Sequence, residues 1–370
     1  MRTLGELKYA LIKGGISIAQ EDRQAPAIQC GMMAFQPGEE IALELAENFI
    51  VKIPLEENKV GLPQLKSIDG KTRLFLNDAE FDIAVIPHPG FIRSQEPRSP
   101  MSDNICMDGF CLNFFLRALG QKLRLNLEPD SVLEIIRSAF NQGCADLIQL
   151  NMDFSKDPNR AFKSLVPLVE AIKKNYSAFV ALKALPPKDL HALDKMYACG
   201  IDILNLPLGG FAGAATISEE TPFEQILKAL EYASGVFPQG AVWTELALAG
   251  KTELLKNAIS DIAAKGVIPL LKLQPPSIAQ ADDYLKVQEV ARHLGDVAAK
   301  NKLNLKWLYP NSRYMTPLDY GFYVEGSPAQ ITIKPLYMST LGKKTSEGFA
   351  AFRRKLRIRD ISDSFESAGL

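Results

Sequence analysis

From residue 127 onward the chain repeats one pattern: an amphipathic helical segment, a stop signal, and then a short apolar run. In "EPDSVLEIIRSAFNQG" apolar residues fall at 132, 133, 135, 136 and 140, Asp130 or Ser131 offers an N-cap, and Gly143 ends the segment. The apolar run "ADLIQLN" follows at once. The unit recurs through the strands "AFVALKAL", "IDILNLPL", "AVWTELAL" and "VIPLLKLQ", separated by helical patterns such as "NRAFKSLVPLVEAIKKN" and "ELLKNAISDIAAKG". Continuously apolar strands joined by helical crossovers require a parallel sheet covered by helices, hence an α/β barrel or a doubly wound fold. Five units are strongly marked and a further strand is expected near 305 to 309, which is fewer than the eight of a complete barrel.

The preceding part has a different texture. Residues 1–98 read as a small α+β module, with a helix near 3 to 13, an amphipathic segment near 39 to 48, and β-like runs "FIVKIPL", "KTRLFL" and "FDIAVIP". A proline-rich connector then leads into residues 99–340, the barrel, and residues 341–370 read as a basic helix and tail.

Charge excludes some partners. Lysine and arginine number 42 against 43 acidic residues, so neither nucleic acid nor a membrane surface is an expected partner, and no apolar run is long enough for a span. The N-terminus lacks the uninterrupted apolar stretch of a signal peptide. Five cysteines are an odd and small number, which argues against a disulfide framework and for a reducing cytoplasm.

In barrels, chemistry gathers at the C-terminal ends of strands. Asn151, Asp153, Lys183, Asn205, Glu245, Lys272 and Gln274 fall at or near those ends and are the ligand-binding candidates. Lys183 and Lys272 suit a carboxylate or phosphate; Asp153 or Glu245 suits an amine or acts as a base. The bland alternative is that these charges pair with one another. "LPLGGFAGAAT", with Gly209, Gly210 and Gly213, leaves backbone open to an anion, though it lacks the P-loop lysine. The tyrosine-rich "YPNSRYMTPLDYGFY" either covers the barrel mouth or packs on the N-terminal module.

The stretch "NICMDGFCLNFF" places Cys106 and Cys111 just before the first unit. A metal held by Cys106 and Cys111 with Cys30 or His88 as a remote ligand is one reading; packing of two buried thiols with Phe110, Phe114 and Phe115 is the other.

The order of segments "VLEIIRSAFNQGCADLIQL", "LHALDKMYACGIDILNLPLGGF" and "ISDIAAKGVIPLLKLQPP" resembles the biotin-synthase-like branch of the radical S-adenosylmethionine superfamily over residues 104 to 295. The resemblance implies a partial (β/α)6 TIM-like barrel holding a 4Fe-4S cluster and S-adenosylmethionine at its top face. It implies cluster ligands spaced C-x-x-x-C-x-x-C in the loop after the first strand. Against that pattern Cys111 matches the middle ligand, Phe114 stands at the last, and Cys106 lies one residue too far upstream. Three readings of function follow. The leading one is a degenerate or non-standard member, a pseudoenzyme that binds a small molecule or partners an active homologue. The second is an active radical enzyme with iron-sulfur ligation by Cys106, Cys111 and a remote group. The third is a cluster-independent lyase or aldolase using Lys183 or Lys272.

Overall fold

A computed structural model describes residues 3–31, 40–56, 61–77, 79–90, 105–119, 122–124, 129–152, 158–208, 223–248, 250–273 and 284–327. The first helix, Leu4–Gly14, starts on Thr3, whose side chain accepts from the Glu6 amide at 3.1 Å and so meets one of the N–H groups a helix start leaves open. Strands β1 (Ser17–Ile18), β2 (Glu40–Ala46), β3 (Phe49–Pro54), β4 (Gln64–Ile68), β5 (Lys71–Leu76), β6 (Ala79–Asp82) and β7 (Ala84–Val85) follow. They form a four-stranded sheet in the order β1-β4-β5-β6 and a three-stranded one in the order β3-β2-β7. The amphipathic segment near 39 to 48 is therefore a strand. Ile41, Leu43 and Leu45 recur at every second position, the period of a pleated strand, and all three are buried.

The second part is a mixed α/β assembly around one curled sheet. β8 (Ile105–Asp108) and β9 (Cys111–Leu119) make a hairpin whose turn passes through Gly109 at φ +57, a left-handed conformation that glycine adopts without steric cost. β10 (Lys122–Arg124) pairs with the end of β9. Parallel to β9 then lie β11 (Leu147–Met152), β12 (Phe179–Lys183), β13 (Ile203–Asn205), β14 (Val242–Ala247) and β15 (Ile268–Lys272), with β16 (Tyr314–Met315) antiparallel at the far edge. Helices Pro129–Asn141, Pro158–Asn175, His191–Cys199, Phe223–Val236 and Thr252–Ala264 connect successive parallel strands, and Tyr284–Lys300 follows the last. The result is a partial barrel.

Strand alternation sorts its residues between two environments. On β11, Ile148 and Leu150 join the hydrophobic core under the helices, while Gln149 and Asn151 line the interior. The strand expected near 305 to 309 is instead a short 3-10 turn, Leu305–Trp307, because the Asn304 side chain accepts from the Lys306 amide at 3.2 Å and bends the chain there.

The two edges of the sheet do not pair strand to strand among the described residues. They meet through side chains: Ser312 donates to Asp108 on β8, and Arg313 Nε lies 3.8 Å from the same carboxylate. The N-terminal module braces this seam. Lys8, fully buried, donates to the carbonyls of Asn311 at 3.0 Å and Tyr314 at 3.3 Å, and Glu40 on β2 joins Lys52 at 3.0 Å to Arg313 at 3.1 Å.

Candidate functional site

The interior-facing residues surround a cavity of about 520 Å3, part of it open to solvent. Two layers of side chains build it. The lower layer is a net of carboxamides on neighbouring strands. Gln149 Nε2 donates to Asn113 Oδ1 at 3.0 Å and to Asn151 Oδ1 at 2.8 Å; Asn151 Nδ2 donates back to Asn113 Oδ1 at 3.1 Å. Tyr309 donates to Gln149 Oε1 at 3.3 Å, and Asn311 donates to the Tyr309 hydroxyl at 3.4 Å. A buried polar net with its members bonded to one another is rigid, so this layer is a shaped floor.

The upper layer carries charge. Lys183 Nζ, at the end of β12, lies 2.7 Å from each oxygen of Glu245, two strands along the sheet on β14. Asn205 Nδ2 donates to Glu245 Oε1 at 2.6 Å, and the Tyr314 hydroxyl is 3.5 Å from Lys183 Nζ. Burial by itself pushes the Glu245 carboxyl up, but the Lys183 charge and hydrogen bonds from Lys183, Tyr314 and Asn205 together hold it below the usual carboxylate range. Burial and the adjacent Glu245 charge push the Tyr314 phenol well up, so it stays protonated as a donor.

Lys272 ends β15 in register with Tyr314. Burial first, and then the Lys183 and Arg313 charges, lower its pKa against the opposing pull of Glu245. Among the described residues Lys272 has no side-chain hydrogen bond and no ion pair. Arg313 differs, being engaged by Glu40 and Asp108; its guanidinium is raised despite burial because those two carboxylates face it.

Of the residues expected from sequence, the fold brings Asn151, Lys183, Asn205 and Glu245 onto one cavity; Lys272 is not among the lining residues but stands two positions after the lining Leu270 on β15, where it feels the charges of Lys183 and Glu245. Asp153, Gln274 and the glycines 209, 210 and 213 lie outside the described residues. Asn113, Gln149, Asp108 and Trp243 also line the cavity and were not singled out from sequence, whereas Tyr309, Asn311, Arg313 and Tyr314 belong to the tyrosine-rich stretch expected either to cover the barrel mouth or to pack on the N-terminal module; these four line the cavity, and Lys8 and Glu40 contact the same stretch. Two had a signal. Gln149 stands two positions before Asn151 on an apolar strand, and Asn113 two after Cys111, the spacing that puts residues on one face.

The iron-sulfur reading is corrected here. "NICMDGFCLNFF" is not a loop after the first strand; it holds the whole of β8, its turn and the start of β9, the first strand of the parallel set. Phe114 is fully buried, in register with Ile105, and belongs to the core on the face of β9 away from the cavity. Cys106 and Cys111 lie on the cavity side, but burial pushes both thiols up, Cys111 well up, whereas cluster ligation needs thiolates. Cys30 and His88 are joined to each other, His88 N donating to Cys30 O at 2.8 Å, within the N-terminal module. Among the described residues no three histidine, cysteine, aspartate or glutamate side chains come together so as to hold a metal ion. The residues present do not fit a cluster, and the membership of the radical S-adenosylmethionine superfamily falls with it, whether as pseudoenzyme, as partner of an active homologue or as active enzyme. Lys183, one of the two lysines of the lyase reading, is ion-paired with Glu245.

No helix among the described residues is long and apolar enough to cross a membrane. No protein-family model and no curated protein matches the chain. Among solved structures it aligns with a dihydropteroate synthase from Coxiella burnetii in complex with pteroic acid, at 10% identity over 67% of this chain and 94% of that chain, with a TM-score of 0.29. A likeness that slight says nothing of ligand or chemistry.

Proposed function

We propose that the cavity binds a small polar molecule through an anionic group, a carboxylate or a phosphate, held at the mouth by Lys272 with Lys183 beside it. The observation that carries this is Lys272 itself. It is the cation of the cluster left without a carboxylate among the described residues, while Lys183 and Arg313 each have one. A half-buried ammonium beside a second one is unfavourable until an anion joins it, which its lowered pKa expresses. The anion supplies the missing counter-charge, and the carboxamide floor fixes the rest of the ligand. Reading the partial barrel as a (β/α)6 frame supports this, since Lys183 and Lys272 end two of its parallel strands, and such frames bind ligands at strand ends. The module 1–98 acts as a brace for that frame through Lys8 and Glu40. A reducing cytoplasm suits a chain whose five cysteines are all free.

Titration calorimetry with small carboxylates and phosphates tests the reading. Lys272→Met weakens binding at least about tenfold, the worth of one charge-assisted contact. Because binding raises the amine's proton affinity, wild-type protein takes up protons on binding at alkaline pH, measurable as a dependence of the heat on buffer ionisation. Equal affinity of wild type and Lys272→Met, or no proton uptake, refutes it.

A further inference from the structure

The cavity holds a second set of open polar atoms, at the seam and away from the Lys183–Glu245 pair. Asp108 and Arg313 both line it. Asp108 is 8% exposed; its Oδ1 accepts from Ser312, while Oδ2 makes no hydrogen bond among the described residues, Arg313 Nε at 3.8 Å being too far for one. Arg313 donates through Nη2 to Glu40 at 3.1 Å, and its Nη1 makes no hydrogen bond among the described residues. Both atoms can be reached. Nε of the same guanidinium is closed to solvent, but Asp108 Oδ2 and Arg313 Nη1 are not, and the two side chains keep 11% and 28% of their surface. Other acceptors of the lining are occupied: Glu245 by Lys183 and Asn205, and the oxygens of Asn113, Gln149 and Asn151 within the floor. A carboxylate oxygen is an acceptor only, and one left without a donor in so confined a place is costly until a donor arrives.

Charge decides which kind of group fits. At the seam Arg313 and Lys52 face Asp108 and Glu40, so the described charges there balance. Adding a lone charge would upset that balance, whereas a group with its own positive and negative ends keeps it and serves both open atoms. At the strand ends Lys183 and Lys272 share Glu245, which leaves one cation in surplus. The two places lie close together: Arg313 directly precedes Tyr314, the register partner of Lys272, and its charge is felt at Lys272. Resting on the anion site proposed above, we infer that Asp108 and Arg313 take the zwitterionic head of an amino acid, whose side chain carries the anionic group that Lys272 holds. Asp108 Oδ2 accepts from the ammonium, and Arg313 Nη1 donates to the α-carboxylate. The ligand class is thereby an amino acid with an acidic side chain, a carboxylate or a phosphate ester.

The test uses the full chain and three sets of ligands: aspartate with succinate and β-alanine, glutamate with glutarate and γ-aminobutyrate, and O-phosphoserine with 3-phosphonooxypropanoate and O-phosphoethanolamine. In each set the second compound lacks the amine of the first, and the third lacks its α-carboxylate. Affinities are measured by calorimetry for wild type and Asp108→Asn. One charge-assisted contact is worth about tenfold, so at least one parent compound binds wild type about tenfold tighter than either of its truncated partners. In Asp108→Asn its advantage over the amine-free partner shrinks at least about fivefold. The sets also separate carboxylate from phosphate as the side-chain group. If the acids bind and lose affinity in Lys272→Met, but no parent exceeds its amine-free partner by about fivefold, this inference is overturned while the anion site stands. A parent that exceeds its amine-free partner but not its carboxylate-free one overturns the Arg313 contact. An advantage that shrinks less than about fivefold in Asp108→Asn overturns the assignment to Asp108. If no acid binds, or Lys272→Met changes nothing, the anion site itself fails and the inference with it. The wild-type sets decide the ligand class by themselves should Asp108→Asn not fold.

Discussion

Replacing Lys8 by methionine removes the brace behind the site while keeping the volume of its stem. The side chain is fully buried, donates to two carbonyls of the 311–314 segment, lies 3.8 Å from Asp319 Oδ2, and sits 4.9 Å over the Phe49 ring. Lys8→Met leaves the two carbonyls short of a donor and the Asp319 carboxylate buried without its counter-charge, although Asp319 Oδ1 keeps the Thr316 amide at 2.7 Å. Breaking one partner of such a pair costs about 3–5 kcal/mol. Against this, burial lowers the Lys8 pKa from 10.5 to about 8, despite the Asp319 charge; at about 1.4 kcal/mol per pH unit that is a penalty on the order of 3 kcal/mol for holding the charge, which the variant no longer carries. The expected net loss at pH 7 is about 1–2 kcal/mol, and Asp319→Asn added to Lys8→Met recovers about 1 kcal/mol of it by removing the stranded carboxylate. The pH dependence has a fixed sign. Between about pH 8 and 10.5 the unfolded chain binds the lysine proton and the folded one does not, so wild-type stability rises with pH across that window, and Lys8→Met lacks this rise. Urea unfolding followed through Trp243 and Trp307, both buried in the barrel, measures all three quantities. A Lys8→Met protein as stable as wild type at pH 7, or a double variant less stable than the single, refutes the reasoning.

Glu245→Gln leaves Lys183 partly buried without its charge partner and is expected to destabilise by about 2 kcal/mol at pH 7; because the wild-type carboxyl lies below 4.5, its contribution disappears as pH falls below about 4.5, so the two proteins converge in acid unfolding. Cys106 and Cys111, their thiols raised by burial, react with iodoacetamide at pH 7 far more slowly in the native protein than in urea, and fast native labelling of either contradicts their placement. Gly240 precedes β14 at φ +86, where an added Cβ meets the Asn304 carbonyl oxygen at 1.9 Å; Gly240→Ala lowers stability by about 2 kcal/mol or more in the same urea assay, and a neutral change shows that the turn is not held.

The parallel strands and their helices were legible because a 3.6-residue period beside an unbroken apolar run has few other uses, as in the passage from Val132 to Asn151. Lys183, Asn205 and Glu245 were legible for the same reason: once the strands are placed, their ends are. The error at Phe114 arose where a spacing was matched to a ligand motif although strand alternation fits it equally well. Asn113 and Phe115 line the cavity and Phe114 between them joins the core, which is strand periodicity. Tyr309, Asn311 and Arg313 were legible only as part of the tyrosine-rich stretch, not as individual site residues. They sit in irregular chain whose only ordering force is contact with distant partners, Lys8, Glu40 and Asp108, and no local period announces such contacts. The pairing state of each lysine was equally out of reach, since it depends on which carboxylate the fold sets on a nearby strand.

The seam between β8 and the 312–313 segment gives this barrel a circumference that is adjustable. A ring closed by backbone ladders grows only by adding or shearing strands, which moves every interior residue at once. Here, among the described residues, the last gap is spanned by side chains and not by a strand ladder, Asp108 meeting Ser312 and Arg313 while Tyr309 reaches Gln149, so a change of length in the segment between Tyr309 and Tyr314 is expected to resize the chamber without shifting the strand registers. Variation among descendants of such a chain therefore has an inexpensive axis: the occupant can change in size by edits to six residues, with the framework that positions Lys183, Asn205 and Glu245 left untouched.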